Sequence, residues 1–245
     1  MAVVLQKMTR LEAAARLREM PVGIIPIGST EQHGPHLPLG TDIYLAEELA
    51  YRISDATGAV VMPSLNFGYS WGWRNIPGTL WMPEKLLEEV LQELVRSVER
   101  YGVKVLVFLN GHEANGSAMK YAIRGIQDDV HVKVLGAFYP GLGEVYAKNM
   151  ESPMWGGMFH ADEFETSLML ASRRSTLVQM DKAVREYPEK PVLYGTDNSS
   201  IGEISASGVY GDATIASEEK GEAMMREFVA RTSALIAAAL RQAQP

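Results

Sequence analysis

The sequence predicts an α/β fold, a three-layer α/β/α sandwich with a mostly parallel central sheet, formed as one domain over residues 1–245. Apolar strand-like runs alternate along the chain with segments of helical periodicity, the order that builds right-handed crossovers. The run 103–109 is almost continuously apolar, which indicates a strand buried on both faces in the middle of a parallel sheet. A length of 245 residues suits one large α/β domain.

The first predicted elements are a helix and a strand. Helical spacing predicts a short amphipathic helix around 10–20, which Pro21 ends. The apolar run 22–28 then predicts a buried strand. Pro26 within this strand argues against complete backbone pairing, because proline lacks an N–H donor.

The second helix follows a loop rich in glycine and proline. Thr41 or Asp42 is expected to cap this helix, because either side chain can accept a hydrogen bond from the first free N–H groups. The apolar residues recur at helical spacing up to Gly58, and residues 59–63 then predict a second strand.

The second half of the chain continues the alternation. The clearest amphipathic helix begins at Pro83 and ends at Gly102, directly before the run 103–109. The later predicted elements are a helix over 115–126, a strand over 130–138, and helices over 163–172 and 217–242.

Charge and composition limit the class of partner. The formal net charge is −7, and lysines and arginines are spread along the chain, which argues against nucleic acid and anionic membranes. No apolar run reaches the roughly 18 residues of a membrane span. The N-terminus also lacks the pattern of a signal peptide. We therefore expect a cytoplasmic protein that acts on a small-molecule substrate.

Histidines are the main indication of function. The chain contains no cysteine, so a metal site must use nitrogen and oxygen ligands. Four of the five histidines lie in three polar or Gly/Pro-rich segments beside acidic residues.

The first of these segments, residues 28–42, joins a predicted strand to a predicted helix, which is where α/β sheets bind ligands. Glu31 and His33 are two residues apart, and an extended chain directs both to the same side. The glycines and prolines of the loop let the chain curl until Asp42 joins them. Three ligating side chains can thus converge.

The other two segments add further ligands. His112 and Glu113 follow the central run, and His160 and Glu165 open a predicted helix, where the helix dipole favours acidic side chains that face a cation. Imidazole and carboxylate ligands together suit Zn, Mn or Fe(II). One carboxylate can bridge two ions, so the set allows a dinuclear site.

Each candidate ligand also has a structural interpretation. Asp42 could serve only as a helix cap, Glu165 as a solvated residue of a first turn, and His36 as a packing residue between prolines. For any one of these residues considered alone, the structural role is favoured. The concentration of histidines beside carboxylates in the same segments favours a role as metal ligands. His131, within the predicted strand 130–138, is expected to be structural.

An aromatic segment, residues 66–81, holds three of the four tryptophans and has no regular period. Two interpretations are open. The segment could form a mobile wall over a pocket, since aromatic side chains bury much area and keep a polar group. It could equally form an oligomer interface or a packed surface loop.

The three motifs, in this order, resemble those of the creatininase family. The resemblance rests on Glu31-Gln-His33-Gly-Pro-His36-Leu-Pro, Thr41-Asp42, Asn110-Gly-His112-Glu-Ala-Asn115-Gly and His160-Ala-Asp-Glu-Phe-Glu165-Thr-Ser, and the order of elements matches over essentially the whole chain. It implies a hydrolase with two divalent metal ions per chain, zinc first and manganese or iron otherwise, and a homo-oligomer, commonly a hexamer. It also implies that Asp42 bridges the ions and that the other metal ligands are Glu31, His33, His112 and Glu165.

The sequence departs from this family pattern at two places. In creatininase a Tyr-Glu pair follows the histidine of the Asn-Gly-His motif, whereas Glu113-Ala114 follows it here, so the acid has moved by one residue. Trp155 lies five residues before His160, and Tyr139 stands where a second tryptophan is expected. Creatinine is therefore not the expected substrate.

The predicted function is hydrolytic opening of a small cyclic amide or a related C–N bond. A hydroxide held by two metal ions would be the nucleophile, because metal binding lowers the pKa of water to roughly 7. His160 is the expected catalytic acid that protonates the leaving atom, with Glu113 as a proton shuttle.

Other functions fit the same residues. The metal centre could instead open a lactone or a cyclic diketone, or cleave a formamide. A small-molecule-binding α/β protein without catalysis is the non-enzymatic alternative, although the chain lacks the Gly-rich nucleotide loops typical of that class. A purely structural protein would leave the loop histidines unexplained.

Overall fold

The central layer is a five-stranded parallel sheet. The structure, a computed structural model, describes residues 1–197 and 200–243. The strands of the sheet are Val3–Val4 (β1), Val22–Ile27 (β2), Val60–Val61 (β3), Val105–Asn110 (β4) and Lys133–Phe138 (β5). Their order across the sheet is β1-β3-β2-β4-β5, with every neighbouring pair parallel.

Helices cover both faces of this sheet. The helices of the described residues are Arg10–Glu19 (α1), Thr41–Thr57 (α2), Glu84–Glu99 (α3), Gly116–Ile126 (α4), Leu142–Asn149 (α5), Glu163–Leu170 (α6) and Glu218–Gln242 (α7). Side chains alternate along each strand: Ile24 packs on the side of α2, α6 and α7, and its neighbour Ile25 packs on the side of α3 and α4. The predicted α/β/α sandwich is confirmed.

Strand β2 lies inside the sheet although it contains a proline. It pairs with β4 along its whole length, including Pro26 opposite Leu109. Its pairing with β3 covers only Gly23 and Ile24 and resumes at the single bridge between Ile27 and Leu65. The expected interruption therefore occurs on one side of the strand only.

Several predicted boundaries were too wide. The strand predicted over 59–63 is limited to β3, since Pro63 has no N–H to continue the ladder. The prediction that His131 lies in a strand was wrong: it is exposed and precedes β5, and its backbone N–H donates to a carboxylate oxygen of Glu99 at 2.6 Å. Helix α1 was predicted to be amphipathic, but Leu17 is its only buried residue.

Some of the observed elements were not predicted from the sequence. These are β1, helix α5, and an antiparallel pair formed by Arg185–Glu186 (β6) and Gly211–Asp212 (β7). Strands of two residues are too short to show an alternating pattern. Within the ranges that the structure describes, no helix combines the length and hydropathy that a membrane span requires.

Helices α6 and α7 pack closely at Gly221, where an added Cβ would lie 1.9 Å from the carbonyl oxygen of Ser167. We expect Gly221→Ala to lower the free energy of unfolding by about 3 kcal/mol, because the helices must separate. Gly143→Ala, in α5, is the matched control because an added Cβ there has no neighbour within 4 Å. This control should be neutral or gain about 0.5 kcal/mol. Urea unfolding measures both, and equal midpoints would contradict the expected close packing.

Candidate metal centre

The candidate ligands meet at the carboxyl edge of the sheet. The loop after β2 carries Glu31 and His33, and His112 follows β4. Two helices begin at the same edge: α2 brings Asp42 in its first turn, and α6 brings Glu165 in its first turn. All five predicted metal ligands are buried.

Backbone contacts hold this edge together. The side-chain amide of Asn115 donates to the carbonyl of Gly28 at 3.0 Å, and its oxygen accepts from the backbone N–H of Tyr69 at 2.8 Å. Gly111 lies so close to α2 that an added Cβ would be 2.2 Å from the carbonyl oxygen of Asp42. A glycine is therefore required where β4 meets the start of α2.

Metal-ligating atoms of the described residues form three groups, and within each group all atoms lie within 4.8 Å of one another. The groups are Glu31 with Asp42 and His112, His33 with Asp42 and Glu165, and Glu31 with His33 and His160. Asp42 is common to the first two groups.

The two oxygens of Asp42 face different imidazoles. Asp42 Oδ1 lies 3.0 Å from His33 Nε2, and Asp42 Oδ2 lies 3.0 Å from His112 Nδ1. Glu165 Oε2 lies 3.7 Å from His33 Nε2, and Glu31 Oε2 lies 3.4 Å from His112 Nε2. The arrangement separates into two halves joined by one carboxylate.

Both histidines next to Asp42 are oriented by backbone carbonyls. His33 Nδ1 donates to the carbonyl of Glu31 at 3.1 Å, which leaves Nε2 facing the carboxylates. His112 Nε2 donates to the carbonyl of Tyr69 at 3.0 Å, which leaves Nδ1 facing Asp42. This use of the second ring nitrogen is typical of metal-bound histidine.

The carboxylates of this cluster are short of hydrogen-bond donors. Both side-chain oxygens of Glu31 and the Oδ2 atom of Asp42 are buried without a hydrogen bond. Burying such acceptors unpaired is costly, and a cation would satisfy them. The mixed set of imidazole and carboxylate ligands suits Zn, Mn or Fe(II), so the residues fit divalent metal ions.

Burial and mutual attraction shift the pKa values within the cluster. Burial raises the pKa of Glu31 to about 7 and that of Glu165 to about 8. Burial alone would lower the pKa of His33, but Asp42 and the other carboxylates outweigh it and raise the pKa to about 10. Burial likewise lowers the pKa of His112, but Glu31 and Asp42 outweigh it and raise the pKa to about 9. The two imidazoles hold the pKa of Asp42 well below its usual value despite burial.

His160 differs from the other two site histidines. Its Nε2 lies 2.8 Å from the backbone carbonyl oxygen of Gln32, which can only accept a hydrogen bond, and 2.9 Å from the side-chain amide nitrogen of Gln32, which can only donate one. Nδ1 faces the cluster, 3.9 Å from Glu31 Oε1. Burial, followed by the charge of His33, lowers the pKa of His160 well below its usual value. The lowered pKa favours the neutral form of His160, in which one ring nitrogen carries no hydrogen.

A cavity of about 180 Å³ opens beside these residues. Trp73 forms one wall and stacks on the His160 ring, with centroids 4.1 Å apart and planes at 19°. The aromatic segment 66–81 is thus partly a pocket wall, whereas Trp81 in the same segment is 42% exposed. The other lining residues include Tyr69, Ser70, Met158, Phe159 and Ile201.

The remaining candidates occupy different positions. Glu113 is exposed and lines the pocket outside the three ligand groups. His36 is buried, and its Nε2 lies 2.8 Å from the Thr166 hydroxyl, also outside the groups.

The expected cap of α2 was wrong, because Gly40 is the N-cap and the side-chain oxygens of Asp42 contact histidines instead. Glu165 is 4% exposed, which contradicts a solvated role.

Several residues of the site had no assignment from the sequence. Gln32 lies inside the first motif but belongs to no ligand pattern, and both its carbonyl and its side-chain amide contact His160 Nε2. Trp73 was within the aromatic segment without a role. Ser70 and Ile201 carry no sequence signal, because their place depends on how distant loops pack around the cavity.

Comparison with known proteins identifies similar sequences. The creatininase family model, described as creatinine amidohydrolase, matches residues 6–236. Creatinine amidohydrolase of Pseudomonas putida is 31% identical over 221 residues, covering 84% of this chain and 85% of that protein. A mycofactocin precursor peptide peptidase of Mycolicibacterium smegmatis is 30% identical, with coverages of 86% and 82%. A 3-dehydro-scyllo-inosose hydrolase of Thermotoga maritima is 28% identical, with coverages of 90% and 78%.

Solved structures have the same fold. A crystal structure of creatinine amidohydrolase gives a TM-score of 0.85 at 28% identity, covering 100% of this chain and 99% of that chain. A manganese form of creatininase gives 0.81 at 28% identity, with coverages of 96% and 98%. A Zn-Zn form of a creatininase mutant gives 0.80 at 28% identity, with coverages of 96% and 97%.

Asn115 offers a test of how the site edge is held. Asn115→Ala leaves the Gly28 carbonyl and the Tyr69 N–H without their partner, so we expect a loss of about 2–4 kcal/mol in unfolding free energy. Asn149→Ala is the control, because that amide bonds the Val145 carbonyl one turn earlier in α5. The control should lose less than about 1 kcal/mol. Equal urea midpoints for the two variants would contradict this role.

Proposed function

The chain belongs to the creatininase family and is a metal-dependent amidohydrolase, and on this premise we propose that it opens a small cyclic amide or related C–N bond at a dinuclear metal centre. The observation that carries the proposal is the pair of ligand groups that share Asp42. We propose that Asp42 bridges two divalent ions, with Glu31 and His112 on one and His33 and Glu165 on the other. We propose zinc as the resident metal, with manganese or iron as alternatives.

The residues around the cavity supply the rest of the proposed chemistry. Bound divalent ions supply Lewis acidity and lower the pKa of water. His160 lines the cavity with Nε2 held by Gln32 and Nδ1 facing Glu31, so its neutral imidazole would take up a proton at Nδ1 and deliver it to the leaving nitrogen. The stacked Trp73 ring keeps this imidazole in one orientation. Glu113, exposed at the pocket, would exchange the proton with solvent.

The size of the cavity supports a small substrate, since about 180 Å³ is less than the roughly 300–1,000 Å³ of pockets that bind drug-sized ligands. Creatinine is not the substrate that we propose, because Ala114 stands where the acid of the creatininase motif is expected and Glu113 is displaced by one residue. The similarity to 3-dehydro-scyllo-inosose hydrolase favours a second candidate, hydrolysis of a non-amide ring on the same metals.

We propose that the chain assembles as a homo-oligomer, with a hexamer as the first candidate. Exposed apolar side chains in the aromatic segment 66–81 support an interface, because Phe67 is 47%, Leu80 54% and Trp81 42% exposed. Light scattering on the purified protein gives the mass, and a monomer at micromolar concentration would overturn this part of the proposal.

Substitution of Asp42 tests the metal centre. Wild-type protein purified without chelator should hold about two metal equivalents per chain, and Asp42→Ala should hold less than one and lose activity. The control is Asp55→Ala on the same helix, where the side chain is 40% exposed. Plasma mass spectrometry measures the metal. Unchanged metal content and activity in Asp42→Ala would reject the bridging role.

His160→Ala separates the proton-transfer role from ligation. We expect turnover to fall by about 10² to 10⁴ while both metal equivalents are retained. Loss of one equivalent would instead assign His160 to the metal, as the third ligand group allows. Metal content and single-turnover rates on the same preparation distinguish these outcomes.

A substrate panel tests the reaction class. Cyclic amides, formamides, lactones and cyclic diketones are offered to the metal-loaded enzyme, and the appearance of new amino groups, on the product or released, is compared with formation of carboxylate. We expect amide ring opening, which yields one amino group and one carboxylate per turnover. Carboxylate without any new amino group would select the non-amide candidate. The same panel with Asp42→Ala is the blank.

A further inference from the structure

A buried contact joins two segments that carry candidate metal ligands. His36 on the loop after β2 and Thr166 in α6 are both 0% exposed. His36 Nε2 lies 2.8 Å from the Thr166 hydroxyl, although the two residues are 130 positions apart in the chain. This hydrogen bond therefore ties the loop directly to the helix.

Each partner of this bond is close in sequence to a proposed ligand. Thr166 directly follows Glu165, and His36 lies three residues after His33. The two proposed ligands face each other, with Glu165 Oε2 3.7 Å from His33 Nε2. They belong to the same ligand group. The bond thus joins the two chain segments that must meet at one proposed ion.

The Thr166 hydroxyl is used differently from that of Thr232 in α7. A threonine hydroxyl within a helix can bond the carbonyl four residues earlier, and Thr232 does so, donating to the carbonyl of Phe228 at 2.8 Å. The hydroxyl of Thr166 instead contacts the imidazole of His36. It therefore holds α6 against the loop and does not serve the helix itself.

His36 depends on this one polar contact. Its Nδ1 is buried without a hydrogen bond, so the bond to Thr166 is the one that its ring makes in the described part of the chain. Burial, followed by the charge of His33, lowers the pKa of His36 to about 4, so the ring is neutral at pH 7. His36 is outside both the cavity lining and the three ligand groups of the described residues. Its contacts therefore point to an effect on neighbouring ligands and not to contact with metal or substrate.

We propose that His36 is a positioning residue for metal binding, because its hydrogen bond to Thr166 holds α6 against the loop after β2 at the separation that one ion needs. This inference rests on the proposed function, since it requires His33 and Glu165 to be ligands of that ion. Removal of a residue that orients metal ligands typically weakens metal binding by about 10- to 100-fold. The second proposed ion takes no ligand from α6, so its affinity should not depend on this bond.

The test is Thr166→Val, which removes the hydroxyl and keeps the branched shape of the side chain. Metal-free protein is titrated with zinc against a chromophoric chelator, and the two binding steps are resolved. We expect one step to weaken by about 10- to 100-fold and the other to keep its wild-type affinity. The weakened step should be the one that Glu165→Gln also weakens. Thr166→Ser keeps the hydroxyl, and both of its zinc affinities should be close to those of wild type.

Thr232→Val is the matched control. It also removes a buried threonine hydroxyl from a helix, since Thr232 is 1% exposed, but the lost bond lies within α7. Without metal, both valine variants should have a lower Tm than wild type, because each leaves a buried partner unpaired. Only Thr166→Val should change a zinc affinity. The same loss of zinc affinity in Thr232→Val would overturn the inference, because it would reflect a general loss of stability.

His36→Phe tests the bond from its other end. It should weaken the same zinc step, and addition of Thr166→Val should weaken that step no further, because both residues act through one bond. Additive losses would contradict the inference. If Thr166→Val does not fold, His36→Phe alone is titrated against the same expectation.

The remaining outcomes separate this inference from the proposed function. Wild-type affinity for both ions in Thr166→Val would overturn the inference and leave the metal centre in place. Equal weakening of both steps would overturn it too, because the bond would then not serve one ion in particular. Failure of the wild-type protein to bind zinc would reject the proposed function itself.

Discussion

The contact between Asp42 and two imidazoles is the interaction on which the rest of the site depends. Each oxygen of this carboxylate lies 3.0 Å from a ring nitrogen of a different histidine, His33 on the loop after β2 and His112 after β4. Asp42 reaches both because α2 begins against the end of β4, an approach that only a glycine at position 111 permits. The parallel sheet brings the two histidines to a common edge. The carboxylate of Asp42, at the start of α2, joins them.

Much of this arrangement could be predicted from the sequence, for a physical reason. In a parallel sheet the residues after each strand meet at one edge, so polar motifs that follow apolar runs indicate a shared site. Glu31, His33, Asp42 and His112 meet here in this way, and Glu165 joins them from the start of α6. The alternation of strands and helices likewise predicted the layers. These features are encoded over short stretches of chain.

What could not be predicted depends on contacts between distant segments. Trp73 stacks on His160 from 87 positions away, and neither residue's local pattern contains that contact. The His160 ring is held at Nε2 by the carbonyl and the side-chain amide of Gln32, 128 positions earlier in the chain, and the local sequence does not contain that contact either. The cap of α2 failed for a related reason, since a carboxylate engaged by two histidines is not free to cap a helix.

The candidate ligands and the cavity wall come from different parts of the fold, and this has an evolutionary consequence. The candidate ligands come from strand ends and helix starts that the packed core fixes, whereas much of the cavity wall comes from Trp73, Met158 and Ile201, which lie outside the regular elements of the sheet. Mutation can therefore remodel the wall while the ligand cluster stays intact. Selection on such a scaffold can exchange one substrate for another without rebuilding the centre, in line with the differing substrates named for its relatives.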